Sequence, residues 1–396
     1  MTAKVLFVIG SLTVGGAERH LVQITPVLAK NFDVAVYVVS GPGKMADVLE
    51  SNGIKLYKPY FLDTLDKLPG YIRKPLIMVL SSVSYLRVLS KYNPDILHFF
   101  LPQAYLFGAI LSFFSRKRIR LMSRRSLNFY QQKHKSLAKI EYMLHLKMDA
   151  VLGNSASVNE QLIEEGVPHD KLGLIYNGVN LKQFENLPAR SKVRSEIGVE
   201  CDDLMMVCVA NLIQYKGHAD LLQALHGIKY DLPNGWRLIL VGRFTEYAAV
   251  LQTMVSELGL TDNVVFLGER ADAIAICSAA DIGLLCSHEE GFSNSILEGM
   301  LAGLPMIVTN VGGNAEAVLN GVCGLVVAPK QPRLLAEAIL KLASDPELRG
   351  QMASKGRERA RQEFSFDTCV KKYSSLYQGL LRKSKLSISD VINLAK

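Results

Sequence analysis

The sequence predicts an α/β chain of two successive Rossmann-like domains with parallel sheets, and three observations predict it. Short apolar segments of strand length alternate with segments of helical length along most of the chain. The alternation falls into two series, and a polar, charged, proline-bearing stretch at residues 182–200 separates them. Strands alternating with helices imply parallel sheets covered on both faces. At 396 residues the chain is long enough for two buried cores, and with 49% hydrophobic and 21% charged residues it is too apolar for a disordered class.

The elements follow in order. Residues 4–9 read as a strand, 15–30 as a helix and 34–39 as a second, alternating strand. Strands are expected at 96–100, 120–123, 150–154 and 172–176, with helices between, and Asn177-Gly178 marks a turn. The second series places strands at 204–210, 236–241, 264–267, 282–286, 306–309 and 324–327. After Pro346 the pattern is mostly helical and closes in a polar tail. The expected division is therefore a first domain over 1–185, a linker over 186–200, a second domain over 201–365 and a C-terminal segment over 366–396. Ligands of open α/β sheets bind outside the carboxyl ends of the strands, so a cleft faced by both domains is the expected site.

Composition narrows the function classes. The six cysteines are scattered without a C-x-x-C pair, which suits a reduced interior. The first apolar run is short, so the start does not read as a secretory leader, and a cytoplasmic location is expected. Residues 1–150 hold 21 Lys/Arg against 9 Asp/Glu, a surplus of +12, while the remainder carries −4. The surplus is densest in Arg116, Lys117, Arg118, Arg120, Arg124, Arg125, Lys133, Lys135, Lys139 and Lys147. An anionic partner is implied: a lipid surface or a phosphate-bearing substrate. No nucleic-acid motif accompanies the charge, so no nucleic-acid partner is expected. Residues 96–115 run uncharged for 20 positions, but His98, Pro102 and Gln103 favour a buried strand followed by an apolar helix over a membrane span. Peripheral contact with an anionic membrane, on its inner face, fits the basic, aromatic-rich region better.

Two stretches could carry chemistry. The first strand runs into Gly10-Ser-Leu-Thr-Val-Gly15-Gly16-Ala17-Glu18, a glycine-rich turn into a helix. Gly16-Ala17 stands where a P-loop needs Lys-Ser/Thr, and the dinucleotide spacing G-x-G-x-x-G is absent. A tight strand-to-helix turn explains it equally well. The stronger signal is His288-Glu-Glu290-Gly-Phe-Ser-Asn-Ser-Ile-Leu-Glu298. Ser293 is placed to cap a helix from Asn294, so N–H groups near Phe292–Ser295 can hold a diphosphate. Glu298, within the helix, can accept from vicinal hydroxyls. Glu290, ahead of it, can bind a second set of hydroxyls or a developing cation.

Glu290-x7-Glu298, with the following Glu-Gly-Met-Leu-Ala-Gly-Leu-Pro and Thr-Asn-Val-Gly-Gly-Asn-Ala-Glu, closely resembles the family-4 retaining glycosyltransferases. Gly15-Gly16-Ala17-Glu18, Asn177-Gly178-Val179, Lys216-Gly217-His218, Phe266-Leu267-Gly268 and Ala280-Asp281-Ile282-Gly283 fit in the same order. The resemblance implies a GT-B fold, a nucleotide-sugar donor in the C-terminal domain, and a glycan or lipid-linked acceptor at the N-terminal domain. It also implies a C-terminal helix crossing back to the first domain and no obligatory metal or other cofactor; no D-x-D occurs. By that resemblance Glu298 binds the donor ribose and Glu290 the transferred sugar. Lys216 neutralises the diphosphate, and Gly15, Gly16 and the stretch Gly291, Phe292, Ser293 and Asn294 bracket it. Phe266, Leu267 and Gly268 meet the base, with Arg270 in the same region.

Two departures stand out. Asn211 occupies a position where the family often has Arg, leaving Lys216 with help from Arg243 or Arg270. After the strand at 120–123, where many members carry His, the chain reads Ser123-Arg124-Arg125-Ser126. Arg124 or Arg125 is then expected at a donor or acceptor phosphate, and arginine cannot act as a general base. His98, ending a buried strand, reads as hydrogen-bonded core. The sequence thus predicts a metal-independent, retaining hexosyltransferase using a UDP-sugar, in cell-surface polysaccharide or lipopolysaccharide assembly. The alternatives are a GT-B nucleotide-sugar epimerase or phosphorylase, and a non-catalytic nucleotide-sugar-binding subunit.

Overall fold

The computed structural model describes residues 2–394 apart from 14, 60–64, 66–68, 117, 129, 132–133 and 384–385; Lys117 and Lys133 of the basic run thus lie outside the described residues. The chain divides into two compact units, residues 1–176 with 367–396, and residues 177–366.

In the first unit seven strands form one parallel sheet. They are β1 (Lys4–Ile9), β2 (Asp33–Val38), β3 (Lys55–Tyr57), β4 (Ile96–Phe100), β5 (Ile119–Arg124), β6 (Ala150–Gly153) and β7 (Leu172–Leu174). Their order is β3-β2-β1-β4-β5-β6-β7, so the direction of winding reverses between β1 and β4. Register is continuous across that point, with Phe7 opposite His98 and Ile9 opposite Phe100. The helices are α1 (Gly16–Leu28), α2 (Ala46–Ser51), α3 (Gly70–Lys91), α4 (Pro102–Ser112), α5 (Lys135–His145) and α6 (Ala156–Glu164). The uncharged run at 96–115 is accordingly a strand whose five residues are all buried, then a helix begun by Pro at its first position. No helix among the described residues is long and apolar enough to cross a membrane.

The second unit opens with α7 (Arg190–Glu196), within the stretch expected as a linker. That stretch is packed into the unit, because Arg194 is buried and saturated with acceptors: Glu200, Cys201, Asp203 and Ala279 carbonyls, and Asp281. The polar composition that suggested a linker is a set of buried bonds. Strands β8 (Met205–Val209), β9 (Arg237–Val241), β10 (Val264–Gly268), β11 (Ile282–Leu285), β12 (Met306–Thr309) and β13 (Gly324–Val327) follow. They pair in the order β10-β9-β8-β11-β12-β13, all parallel, with the switch between β8 and β11. Helices α8 (His218–Ile228), α9 (Tyr247–Glu257), α10 (Ala273–Ala279), α11 (Asn294–Ala302), α12 (Asn314–Ala317), α13 (Pro332–Ser344) and α14 (Pro346–Glu363) complete it. A bridge from Val179 to Ser365 closes the unit, with Val179 N–H donating to Phe364 O at 3.0 Å.

Two C-terminal helices, α15 (Phe366–Leu381) and α16 (Ile388–Asn393), return to the first unit. Tyr377 Oη bonds His98 Nδ1 at 2.7 Å, and Tyr373 Oη meets His20 Nε2 at 3.3 Å. Ser123 Oγ takes the other His98 nitrogen at 2.7 Å, so this imidazole is a fully satisfied core group. Burial, aided by the nearby Arg125 charge, lowers its pKa to about 3. All six cysteines are free thiols.

Candidate functional site

The switch point of the second sheet brings the loop after β8 against the loop after β11. The β8 loop ends in a short 3-10 turn, Gln214–Lys216, and then in Gly217, left-handed at φ 70°. Only glycine fits there, since a Cβ would lie 1.9 Å from the Cys286 carbonyl oxygen. Lys216 is thereby turned toward the β11 loop. Its Nζ donates to Glu290 Oε1, and Ser287 Oγ donates to the same oxygen at 2.8 Å.

Two further bonds lace the loops together. His288 N–H donates to the Tyr215 carbonyl at 2.7 Å, and His288 Nε2 lies 2.7 Å from Asp220 Oδ2. Both members of the Lys216–Glu290 pair are largely buried, at 16% and 11% side-chain exposure. Burial by itself disfavours the Lys216 charge, but the adjoining Glu290 carboxylate outweighs it and raises the ammonium pKa above its usual value. Lys216 is therefore a fixed cation at neutral pH. His218, one residue past Gly217, is buried with neither ring nitrogen partnered among the described residues, and burial plus the Lys216 charge lowers its pKa to about 4.

The loop from Glu290 into α11 is clamped on two sides. Gly312, at φ 50°, lies so close that a Cβ would be 1.8 Å from the Glu290 carbonyl oxygen, and Gly313 N–H donates to Gly291 O at 2.8 Å. From the other side Asn177 Nδ2 donates to Phe292 O at 3.0 Å and to Asn294 Oδ1 at 2.6 Å. Ser293 occupies the N-cap position with extended backbone, yet its hydroxyl bonds Ser295 Oγ at 3.0 Å and makes no cap bond. The expectation of a Ser293 cap is corrected to that extent. The α11 N-terminus consequently keeps its first-turn N–H groups clear of a serine side-chain acceptor, which is the arrangement that receives an anion. Glu298 lies one turn beyond Asn294, half-buried, and its charge contributes to raising the Cys277 thiol pKa after the larger effect of burial.

At the other side of the sheet the β10 strand ends in a bulge between Phe266 and Gly268, with Gly268 at φ 71°. The Phe244 and Phe266 rings meet edge to face at 6.5 Å. Arg270 is held bidentately by Asp272, Nε to Oδ1 at 2.8 Å and Nη2 to Oδ2 at 2.7 Å, on the surface. Asn211, standing in the family's Arg position, accepts from Arg243 N–H at 3.1 Å and ties two strand-end loops together.

The first-unit residues are placed differently. Gly15 is the N-cap of α1, and a Cβ there would fall 2.3 Å from the Glu18 carboxylate, which is turned back over the helix start. Partial burial raises the Glu18 pKa. Gly16 opens the helix with open space beside its Cα. Arg124 is a correction. Its side chain is fully buried, with Nη2 at 2.6 Å from Glu141 Oε1 and Nη1 at 2.5 Å from Glu165 Oε1. Those carboxylates, on α5 and just after α6, are joined by His145 at 3.0 Å and Tyr130, so the guanidinium is sealed in a core ion-pair network away from any ligand. Arg125 is half-buried, reaching Tyr373 Oη at 3.4 Å. Sequence reasoning left Ser287, Asp220 and Gly312 out of the site; only Gly312, within the Gly-Gly-Asn-Ala-Glu stretch, carried a legible signal.

Comparison with known proteins was made with this geometry in hand. Residues 189–359 match the model of the glycosyl transferases group 1, and residues 14–183 match that of glycosyltransferase family 4. The chain is 27% identical over 237 residues to N-acetyl-alpha-D-glucosaminyl L-malate synthase of Bacillus anthracis, covering 60% of this chain and 61% of that protein. It is 24% identical to the Staphylococcus aureus capsular polysaccharide biosynthesis glycosyltransferase CapM, over 77% of this chain and 82% of that one. Among solved structures it is similar to Anabaena HepE in complex with UDP-glucose, with a TM-score of 0.80, 25% identity, and coverage of 95% and 99% of the two chains. The fold is that of the GT-B glycosyltransferases, and across both halves the chain belongs to the group 1, family-4 type of glycosyltransferases.

Proposed function

We propose that this chain is a retaining glycosyltransferase that moves a hexose-type sugar from a nucleotide-sugar, a UDP-sugar by preference, to a glycan or lipid-linked acceptor. The observation that carries the reading is the pairing of Lys216 with Glu290 at the switch point of the second sheet, in the loop that runs into α11. A buried, permanently charged lysine beside an open helix start suits a departing nucleoside diphosphate, whose negative charge grows in the transition state. Glu298, on the same helix, is assigned to the ribose hydroxyls. Glu290 is assigned to hydroxyls of the transferred sugar, and the β10 end with Phe266 to the base. The relatives support the donor class and the setting: HepE was solved with UDP-glucose, and CapM is named for capsular polysaccharide biosynthesis.

With Arg124 sealed in the core, no arginine is invoked as base. The proposed step breaks the bond from the anomeric carbon to the diphosphate and forms the bond to the acceptor oxygen on the same face. The leaving phosphate oxygen takes the acceptor hydroxyl proton. No residue here is assigned to a metal, and we propose that Lys216 and N–H groups supply the neutralising charge.

The experiment is turnover of UDP-glucose, UDP-N-acetylglucosamine and GDP-mannose with a panel of glycan and lipid-linked acceptors, with and without EDTA, resolved by NMR of the product anomer. Nucleotide release coupled to an axial product linkage from an axial donor, unchanged by EDTA, supports the reading. Inversion at the anomeric carbon, or a metal requirement, contradicts it.

A further inference from the structure

We propose that the ring of Phe244 is the stacking face for the nucleobase of the bound donor, an assignment that rests on the nucleotide-sugar reading above and adds to it a residue no sequence motif marks. Phe244 lies three residues past β9, at the carboxyl end of the strand that pairs with β10. Three strand-end loops converge there. Gly242 N–H donates to Gly268 O at 2.8 Å, and a Cβ at Gly242 would fall 2.1 Å from the Ala210 carbonyl oxygen. On the two flanks of Phe244, Arg243 N–H donates to Asn211 Oδ1 at 3.1 Å and Thr245 Oγ1 donates to the Leu212 carbonyl. The backbone of Phe244 is therefore fixed on both sides, yet the residue is 48% exposed. Its ring meets Phe266 edge to face at 6.5 Å, and a Cβ at Gly268 would come 3.9 Å from its Cζ. An aromatic ring is thus held at its rim by the β10 end while nearly half of the residue stays open.

A nucleobase presents a π face and a polar edge, and these two strand ends offer a partner for each. The edge is met by the β10 bulge. Phe266 stands opposite Leu240 and Gly268 opposite Val241, so Leu267 is the extra residue, and a bulge takes such a residue out of the regular ladder. The face is met by Phe244. Reach agrees with this division. In the order β10-β9-β8-β11, at about 4.8 Å per strand, β9 and β10 lie about 10 and 14 Å from β11. The loop after β11 carries Glu290, so a nucleoside diphosphate laid across the strand ends spans from the Lys216–Glu290 pair to Phe244. The neighbouring guanidinium of Arg270 does not compete for the base, because Asp272 holds it bidentately. Every base has a π face, so Phe244 sets the affinity for the nucleoside half of the donor, and the choice of base falls to hydrogen bonds at the bulge.

The test is calorimetric binding of UDP to the full chain, comparing wild type, Phe244→Ala, Phe244→Tyr, Tyr230→Ala and Glu298→Ala. Phe244→Ala should weaken UDP binding about 5- to 100-fold, the range for losing one base–aromatic stack, with unchanged circular dichroism and thermal midpoint. Phe244→Tyr keeps the ring and should keep the affinity. Tyr230→Ala removes a 90% exposed ring elsewhere in the same unit and should leave binding as it was. Phe244→Trp gives a second readout, since the one native tryptophan, Trp236, is buried. Its emission should be quenched by UDP and unmoved by the same concentration of inorganic pyrophosphate, which has no base. Emission that saturating UDP leaves unchanged overturns the proposal. So does UDP binding undiminished in Phe244→Ala while Glu298→Ala abolishes it, and in that case the nucleotide-sugar reading stands. A folded wild type that binds no nucleotide overturns both together.

Discussion

The ammonium of Lys216 and the carboxylate of Glu290, 74 residues apart in sequence, share one largely buried ion pair at the β8/β11 switch point. The Glu290 carboxylate raises the Lys216 ammonium pKa against the effect of burial, and a ligand phosphate entering this position would compete with Glu290 for the lysine. Lys216→Met is expected to lower kcat by about two to three orders of magnitude, the range for losing one preorganised charge donor to a leaving group. Steady-state kinetics against donor concentration measures it. Unchanged turnover would remove Lys216 from the chemistry.

Gly312→Ala should disturb the same site from behind. Its Cβ would collide with the Glu290 carbonyl oxygen in a backbone region that alanine avoids. A loss of about 1–3 kcal/mol in stability is expected, together with weakened nucleotide binding. Gly16→Ala, which meets open space, is the matched control. Denaturant unfolding and calorimetry on both variants distinguish the cases.

Arg124→Ala should act on folding. Removing the guanidinium leaves Glu141 and Glu165 uncompensated in the core, at a cost of about 3–5 kcal/mol. Lysine cannot restore the two-pronged geometry, so Arg124→Lys should recover little. The readout is the urea midpoint beside the donor KM of whatever folded fraction remains. An intact midpoint with a raised KM would return Arg124 to a substrate phosphate.

Acid stability carries a signature of the buried imidazoles. His98 and His218 have pKa values lowered to about 3 and about 4, against about 6.5 in an unfolded chain. The unfolded state therefore binds more protons in this window. Stability is full above pH about 6.5 and falls as pH drops, by up to about 1.4 kcal/mol per unit for each histidine. Glu165, held down to about 2 by its His145 and Arg124 partners against the effect of burial, adds to the loss only below the ordinary carboxylate range. His98→Gln should remove one proton from the slope between pH 6 and about 4.5, measured by urea unfolding.

These cases show how far the residues could be read in advance. Strand periodicity located twelve of the thirteen strands among the described residues, with β1, β4, β12 and β13 matching residue for residue; β3, three residues long and half-exposed, is too short to show a period. Within the candidate site, Lys216, Glu290 and Glu298 stood out through their resemblance to a family pattern; the structure adds that Lys216 pairs with Glu290 and that the left-handed backbone at 217 requires glycine. Arg124 was misread because its partners lie 17 and 41 residues away, and no local pattern reports them. The stretch at 186–200 was misread for the same reason: Arg194 is satisfied by carbonyls, which leave no trace in composition.

The central claim, a nucleotide-sugar site built on Lys216, Glu290 and α11, is tested most directly by calorimetric binding of UDP, GDP and ADP, with and without EDTA, to wild type and Glu298→Ala. The account predicts selective UDP binding that EDTA leaves unchanged and that the substitution abolishes. Binding of no nucleotide by the folded wild type, or UDP binding undiminished in Glu298→Ala, would contradict it.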